Sequence, residues 1–451
     1  MIPETPEAAE APESSYRALL AIPRLGRVIV SMQLARIAQS MVGVALVLFV
    51  LQEYRSPELA GLVTFASVFP GLLVAPIAGA LLDRHGRTRL IILDYIVALI
   101  GLVLIGVLAT LDALPAPLLV GIAVVSSLTG ILSHTGLRSL FPILVPRHLW
   151  ERVNAVDANG YVVATILGPP IAAGLVTILG GPAALIVIGC SFGLAAGALV
   201  GAPDPISTLA SSGNLLRDAW DGIRYTLGNR TLRGLGMAIT TMNIAGGMTT
   251  IVVPLIVLDR LQAGEAAVGL VFAVSGITGM ASALLFGRTD TRGREWAMLV
   301  VPMVLAGPVF ALYLVAAAAP VAIIGLAVLA VALGLYGLLN GPLDIALFTV
   351  RQRRTDPAWM GRAFAVSMAF NFMGFPIGAA IAGWVAARSI ESAVLIGVGA
   401  AVLASVFAAT LVPRRDPADS AVGLVVPAGA PAPAVAVAPA VAVAPAPDRG
   451  Q

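Results

Sequence analysis

Charged and amide side chains are scarce in this chain, so the few that interrupt its apolar runs are where chemistry would sit. Gln33, Arg36 and Gln39 fall inside the run 28–51. At 1.5 Å per residue, Arg36 stands about 12 Å beyond Val28, and spacings of three put the trio near one helical face. A guanidinium at that depth could hold an anionic group of a ligand or exchange ion partners as helices move. It also suits a structural arginine that snorkels or bonds to carbonyls. His134 and Arg138, four apart in the run 118–140, share a face and repel when both are charged. Histidine titrates near neutrality, so His134 is a candidate for proton transfer, with a hydrogen-bonded packing role as the alternative. Asn243, Asn340 and Asn371 lie in the runs 234–258, 321–344 and 363–386. Amides of this kind can orient a ligand or tie helices together. Asp94 and Asp344 stand near helix ends, where pairing with loop arginines is expected rather than proton carriage. No carboxylate is expected near the middle of a span.

Other chemistries find no support. The chain contains no lysine, so a phosphate-binding loop ending in Gly-Lys-Ser/Thr is absent. Three dispersed histidines and the single Cys190 make no metal-ligand spacing, and one cysteine excludes a disulfide within the chain. No catalytic constellation, cofactor or nucleic-acid partner is expected. Across 451 residues, 59% are hydrophobic and 11% charged, and mean hydropathy is +0.96. Soluble domains carry roughly 25% charged residues, so a soluble enzyme, a nucleic-acid binder and a disordered regulator are all excluded. The lipid bilayer is the solvent this composition fits.

The elements that must position these residues read as about twelve spans: 28–51, 60–82, 90–111, 118–140, 157–179, 182–202, 234–258, 267–287, 296–318, 321–344, 363–386 and 392–412. Continuous apolar runs of this length predict helices, because barrel strands would be shorter and alternating. Arginine placement fixes the count. Sixteen arginines, from Arg84, Arg87 and Arg89 to Arg351, Arg353, Arg354 and Arg362, fall on one set of alternate loops between spans. Arg55, Arg260 and Arg388 fall on the other. The positive-inside rule then predicts both termini in the cytoplasm. Residues 1–20 read as a cytoplasmic leader, and 413–451, rich in Ala, Pro and Val, as a disordered cytoplasmic tail. Between 203 and 233, Leu216, Trp220, Ile223 and Leu227 recur at helical spacing, predicting an amphipathic helix at the membrane surface. That linker divides an N-terminal six-helix bundle, 21–202, from a C-terminal one, 234–412.

The most specific local pattern follows the second span: "GALLDRHGRTRL", with Gly79, Asp83, Arg84, Gly86, Arg87 and Arg89. Its glycines permit close helix contact and a sharp turn, and its charges can lock helix ends. Asp290, Gly293 and Arg294 stand 207 residues after Asp83, Gly86 and Arg87, in a degraded second copy. A half-length repeat is the mark of a transporter built from two related bundles. On these residues the sequence resembles the major facilitator superfamily over about 20–412, in particular its bacterial macrolide-efflux-like and enterobactin-exporter-like branch. The stretches "RSLFPILVPRHLWERVNAVDA" and "RDAWDGIRYTLGNRTLRGL" also resemble that branch. The resemblance implies an all-α membrane protein with two pseudo-symmetric six-helix bundles and no enzyme activity. It implies alternating access, a loop lock at the cytoplasmic rim and a cavity lined by the first, fourth, seventh and tenth spans. The implied activity is proton-coupled export of a drug-like compound or siderophore by a monomer in a bacterial cytoplasmic membrane. Uptake or facilitated diffusion of a small metabolite is the alternative.

Overall fold

The computed structural model describes residues 15–204, 215–289, 291–356 and 359–414. Among the described residues the chain forms α-helices and no strand. A short α1 (Tyr16–Leu20) precedes α2 (Leu25–Glu53), α3 (Pro57–Ala66), α4 (Phe69–His85) and α5 (Arg87–Thr110). Next come α6 (Ala116–Leu144), α7 (Trp150–Leu179) and α8 (Gly181–Leu199). The connecting α9 (Leu215–Gly228) leads to α10 (Arg230–Leu255), α11 (Glu265–Phe286) and α12 (Glu295–Ala317). The last three are α13 (Ala322–Arg353), α14 (Met360–Ala386) and α15 (Ile390–Leu411). Twelve stretches are long and apolar enough to cross a membrane, with α3 and the start of α4 together making the second.

These helices are apolar all round, as helices facing lipid on one side and protein on the other must be. In α12, Leu299, Met303 and Ala306 are buried while Val301, Val304 and Leu305 are exposed, yet both faces are aliphatic. The second span breaks between α3 and α4 because Pro70 has no N–H to donate and restricts the residue before it. Ser127 on α6 repairs the break by accepting from the Gly71 N–H at 2.9 Å.

Packing repeats between the halves. In the first, α2 packs on α7 and α8, α5 on α6 and α8, and α4 on α6. In the second, α10 packs on α14 and α15, α12 on α13 and α15, and α11 on α13. Each pair has its counterpart, so the chain is two pseudo-symmetric six-helix bundles. Across the halves, α3 meets α14 and α7 meets α11, and these two contacts are themselves exchanged by the same symmetry. Both are tightest at the end remote from α9. A Cβ on Gly61 would lie 2.5 Å from the Ala379 carbonyl oxygen, and one on Gly269 would lie 2.7 Å from Ala173 Cβ. Only glycine lets the backbones approach this closely. At the same end the Gln52 amide donates to Glu265 Oε1 at 2.5 Å, bridging α2 and α11. The remote end is thus sealed.

The predicted amphipathic helix is α9. Trp220 and Leu227 are exposed on it, while Gly222 and Thr226 are buried. Tyr225 stacks on Trp359 at 5.0 Å and its hydroxyl accepts from the Asp356 N–H, tying α9 to the connection between α13 and α14.

Candidate functional site

Arg36 on α2 is 5% exposed. It is held by α7: Nη2 donates to Asp157 Oδ1 at 2.5 Å and Nη1 to the Asp157 carbonyl at 2.6 Å. The guanidinium also lies 3.8 Å from the centre of the Tyr161 ring, one turn further along α7. A charge-assisted pair with a cation–π face is a strong way to hold a guanidinium away from water. Gln33 sits against Gly160, where a Cβ would strike its amide oxygen. That oxygen is buried with no hydrogen-bond partner. Gln39 reaches across to Ser133 on α6, with 3.4 Å between its amide nitrogen and the hydroxyl.

Asp94, on α5 beside Tyr95, is 3% exposed. The hydroxyls of Ser133 and Thr129 are within hydrogen-bonding reach of its carboxylate. The expected pairing with a loop arginine is not formed among the described residues, because Asp94 faces α6 from two turns inside α5. Arg36, Gln39, Tyr95, Ser133, His134 and Tyr161 line one small polar cleft. His134 is exposed there. The space between these side chains has room for about one water, so it does not hold a whole cargo molecule in this conformation.

Sequence reasoning missed Asp157, and with it Tyr161. The fifth span was expected to begin at 157, with Asp157 at its mouth. In fact α7 begins at Trp150, so Asp157 stands two turns inside. Asp157 thus lies inside the fifth span but close to its start, not at its middle. Averaged hydropathy reads Glu151, Arg152 and Asp157 as loop. The available signal was spacing: Asp157 and Tyr161 are four apart and share a face.

The second half carries a neutral counterpart. Asn243 stands 207 residues after Arg36, the offset of the repeated turn. It occupies the matching helix, α10, and donates to the Asn371 carbonyl on α14 at 2.8 Å. Asn371 is buried, and with its amide turned so that the oxygen faces Arg351 it accepts from Arg351 Nη2 at 2.5 Å and donates to the Ser367 carbonyl. Arg351 is itself fully buried and donates to Met368 Sδ. These amides knit α10, α13 and α14 together. Asn340 and Asp344 are on α13, Asn340 half-buried and Asp344 exposed. Asp344 has no ion pair among the described residues. The structure thus does not gather the amide residues around Arg36; it builds two clusters, one per half.

At the loop after α4, Gly86 turns with φ +91° and Gly293 repeats this with φ +75°. The partner that sequence reasoning missed is Asp204, just beyond α8. Its carboxylate accepts from the Thr88 N–H at 3.0 Å and the Arg89 N–H at 3.4 Å, satisfying amides at the start of α5. Thr88 also donates to the Pro203 carbonyl. Arg87 is buried, Arg84, Arg89 and Arg294 are exposed. Only the backbone is described for Gly79, Asp83 and Arg138, and Asp290 lies outside the described residues.

The chain matches the family model for the Major Facilitator Superfamily over residues 28–327 and 234–440. It is 36% identical over 405 residues to the uncharacterized MFS-type transporter y4rN of Sinorhizobium fredii, covering 89% of this chain and 98% of that one. Identity is 27% to the multidrug efflux pump Tap of Mycobacterium bovis, covering 76% of this chain and 82% of that one. It is 25% to the enterobactin exporter EntS of Shigella boydii, covering 84% and 89%. Among solved structures, the nucleoside transporter NupG superposes with a TM-score of 0.67 at 13% identity, covering 86% of this chain and 98% of that one. A bacterial homolog of the human lysosomal transporter Spinster, inward-facing and unoccupied, superposes at 0.65 with 16% identity, covering 89% and 99%. At such identities these structures speak for the fold.

Proposed function

Because this chain belongs to the major facilitator superfamily, we propose that it is a secondary active transporter exporting an amphipathic small molecule by alternating access, in exchange for protons. Its two bundles, about 21–202 and 234–412, rock about the contacts α3–α14 and α7–α11. The α9 end is the cytoplasmic end of a bacterial cytoplasmic membrane, by the arginine asymmetry of its loops.

The observation that carries proton exchange is the ion pair Arg36–Asp157 inside the membrane-spanning part of one half; the matching position on the other half's first helix is the neutral Asn243. Charge inside a bilayer is expensive and is kept where it has work to do. The first half then handles the coupling ion. Export is supported by the distant likeness to Tap and EntS, whose names give a drug-like compound or a siderophore as cargo classes. Arg36 is engaged by Asp157 in this conformation, so an acidic cargo group would have to displace that carboxylate. Gly86 and Arg87, with Asp204, act as the lock at the cytoplasmic rim.

Purified protein in proteoliposomes, given a chemically broad cargo panel under an imposed pH gradient, tests this reading. Uphill cargo movement that collapses with an uncoupler and is lost in Arg36→Ala is the expected result. Uphill movement indifferent to the pH gradient contradicts proton exchange. Strictly downhill movement would instead make the protein a facilitator.

A further inference from the structure

Asp344 stands about 10 Å from the middle of α13 toward the α9 end, within a hydrocarbon layer roughly 30 Å thick. Among the described residues its side chain makes no hydrogen bond and no ion pair. The buried arginines of the spans are turned elsewhere: Arg36 to Asp157, and Arg351 to Met368 and Asn371 on α14. Carboxylates at such depth usually face a cavity or a partner, and here the protein supplies no partner.

The faces of α13 show what Asp344 looks into. Gly337 and Gly341 pack on α11, where a Cβ would strike Thr278 or Ser282. Asp344 and Phe348 continue that stripe by single turns toward the α9 end, and there both are exposed. Lipid is met on the other side of the helix, by the exposed Val331, Leu335 and Leu338, about 120–180° round from Asp344. Asp344 is instead open to solvent yet surrounded by protein at depth, as the wall of an opening between helices is. Asn340 lies one turn before it, half-buried and without a hydrogen bond among the described residues. Phe348, one turn after it, is 37% exposed. That ring already stands near a cation, with the Arg351 guanidinium carbon 5.7 Å from its centre.

We propose that Asp344, with Asn340 and Phe348, is the part of the cargo site that takes a positive charge, and that the cargo is a lipophilic organic cation. The carboxylate supplies the counter-charge and the ring its negative face. The Asn340 carbonyl supplies an acceptor for an ammonium N–H. The opening lies toward the α9 end, which the proposed orientation makes cytoplasmic, so the site loads from the side that export requires. This rests on the export reading and narrows its cargo, since an anionic siderophore would meet Asp344 as a like charge.

Binding to the whole purified chain in detergent, with no pH gradient, tests the assignment. The probes are tetraphenylphosphonium and tetraphenylborate, two ions of nearly one size and shape but opposite charge. The wild type should bind the cation saturably and more tightly than the anion. Asp344→Asn should weaken cation binding at least about tenfold and strengthen tetraphenylborate binding, a gain that misfolding does not produce. Asp344→Glu should keep most of the cation affinity, and Phe348→Ala should lose about threefold. Asp112→Asn, which removes an exposed carboxylate beyond the end of α5, should change neither. No saturable binding of tetraphenylphosphonium, a wild-type preference for tetraphenylborate, or undiminished cation affinity in Asp344→Asn overturns the proposal. So does an equal loss in Asp112→Asn, which would make the effect one of net charge. Uphill transport of another cargo without cation binding removes this site and leaves export standing; cation binding without uphill transport removes export and leaves the site.

Discussion

Arg36 and Asp157 hold each other in a setting where neither is tolerable alone. Removing one partner of a buried pair leaves an uncompensated charge and costs about 3–5 kcal/mol. Arg36→Ala and Asp157→Ala should each lower the thermal midpoint in detergent, and the double substitution should lower it by clearly less than their sum. Strict additivity would mean that the 2.5 Å contact carries no coupling energy. The residue scale is also where the sequence was hardest to read. Arg36 stood out because it interrupts an aliphatic run. Asp157 did not, because Glu151, Arg152 and Asn154 around it make the first turns of α7 look like loop. Asp94 was visible but was assigned a rim arginine, since its distance from the helix end says nothing of which neighbour it faces. Hydropathy finds where a span is; which partner a side chain meets is decided by packing between helices.

At the scale of elements, the repeated turn was legible because glycine with positive φ leaves a mark that side-chain chemistry does not blur. Its two copies differ in their surroundings. A Cβ on Gly86 would collide with the Asp204 carboxylate, whereas one on Gly293 would meet nothing. Gly293→Ala should therefore show only left-handed backbone strain, roughly 1–2 kcal/mol, and Gly86→Ala should lose more. Thermal midpoints of the two variants compare them directly, and equal losses would remove any role for the Asp204 contact. Asp204→Asn should speed hydrogen exchange at the Thr88 and Arg89 amides, which are the groups its carboxylate caps. Asp204 itself could not be read from the sequence, since nothing in its local pattern says that the chain after α8 returns to the loop after α4. The break at Pro70 was likewise hidden inside a span whose average hydropathy is unaffected by one missing N–H.

At the scale of the molecule, the twelve spans and the half-repeat follow from apolar run length and a 207-residue offset. The structure adds how the halves meet: small residues bring α3 to α14 and α7 to α11 at the end remote from α9. Gly61→Leu should prop that end open, and a cysteine at Ala387 should then react faster with an impermeant thiol reagent added outside, in a Cys190→Ser background. An unchanged rate would mean that the glycine contact does not control the seal. The account's central claim is that the two ends open alternately, and pulsed spin-label distances test it most directly. One pair, at Ala113 and Ala387, reports the remote end; the other, at His85 and Arg292, reports the α9 end. Across a change of pH from acid to alkaline, the account predicts two populations in which one distance lengthens as the other shortens, with the exchange abolished in Asp157→Asn. Distances that stay fixed, or that lengthen together, would contradict it.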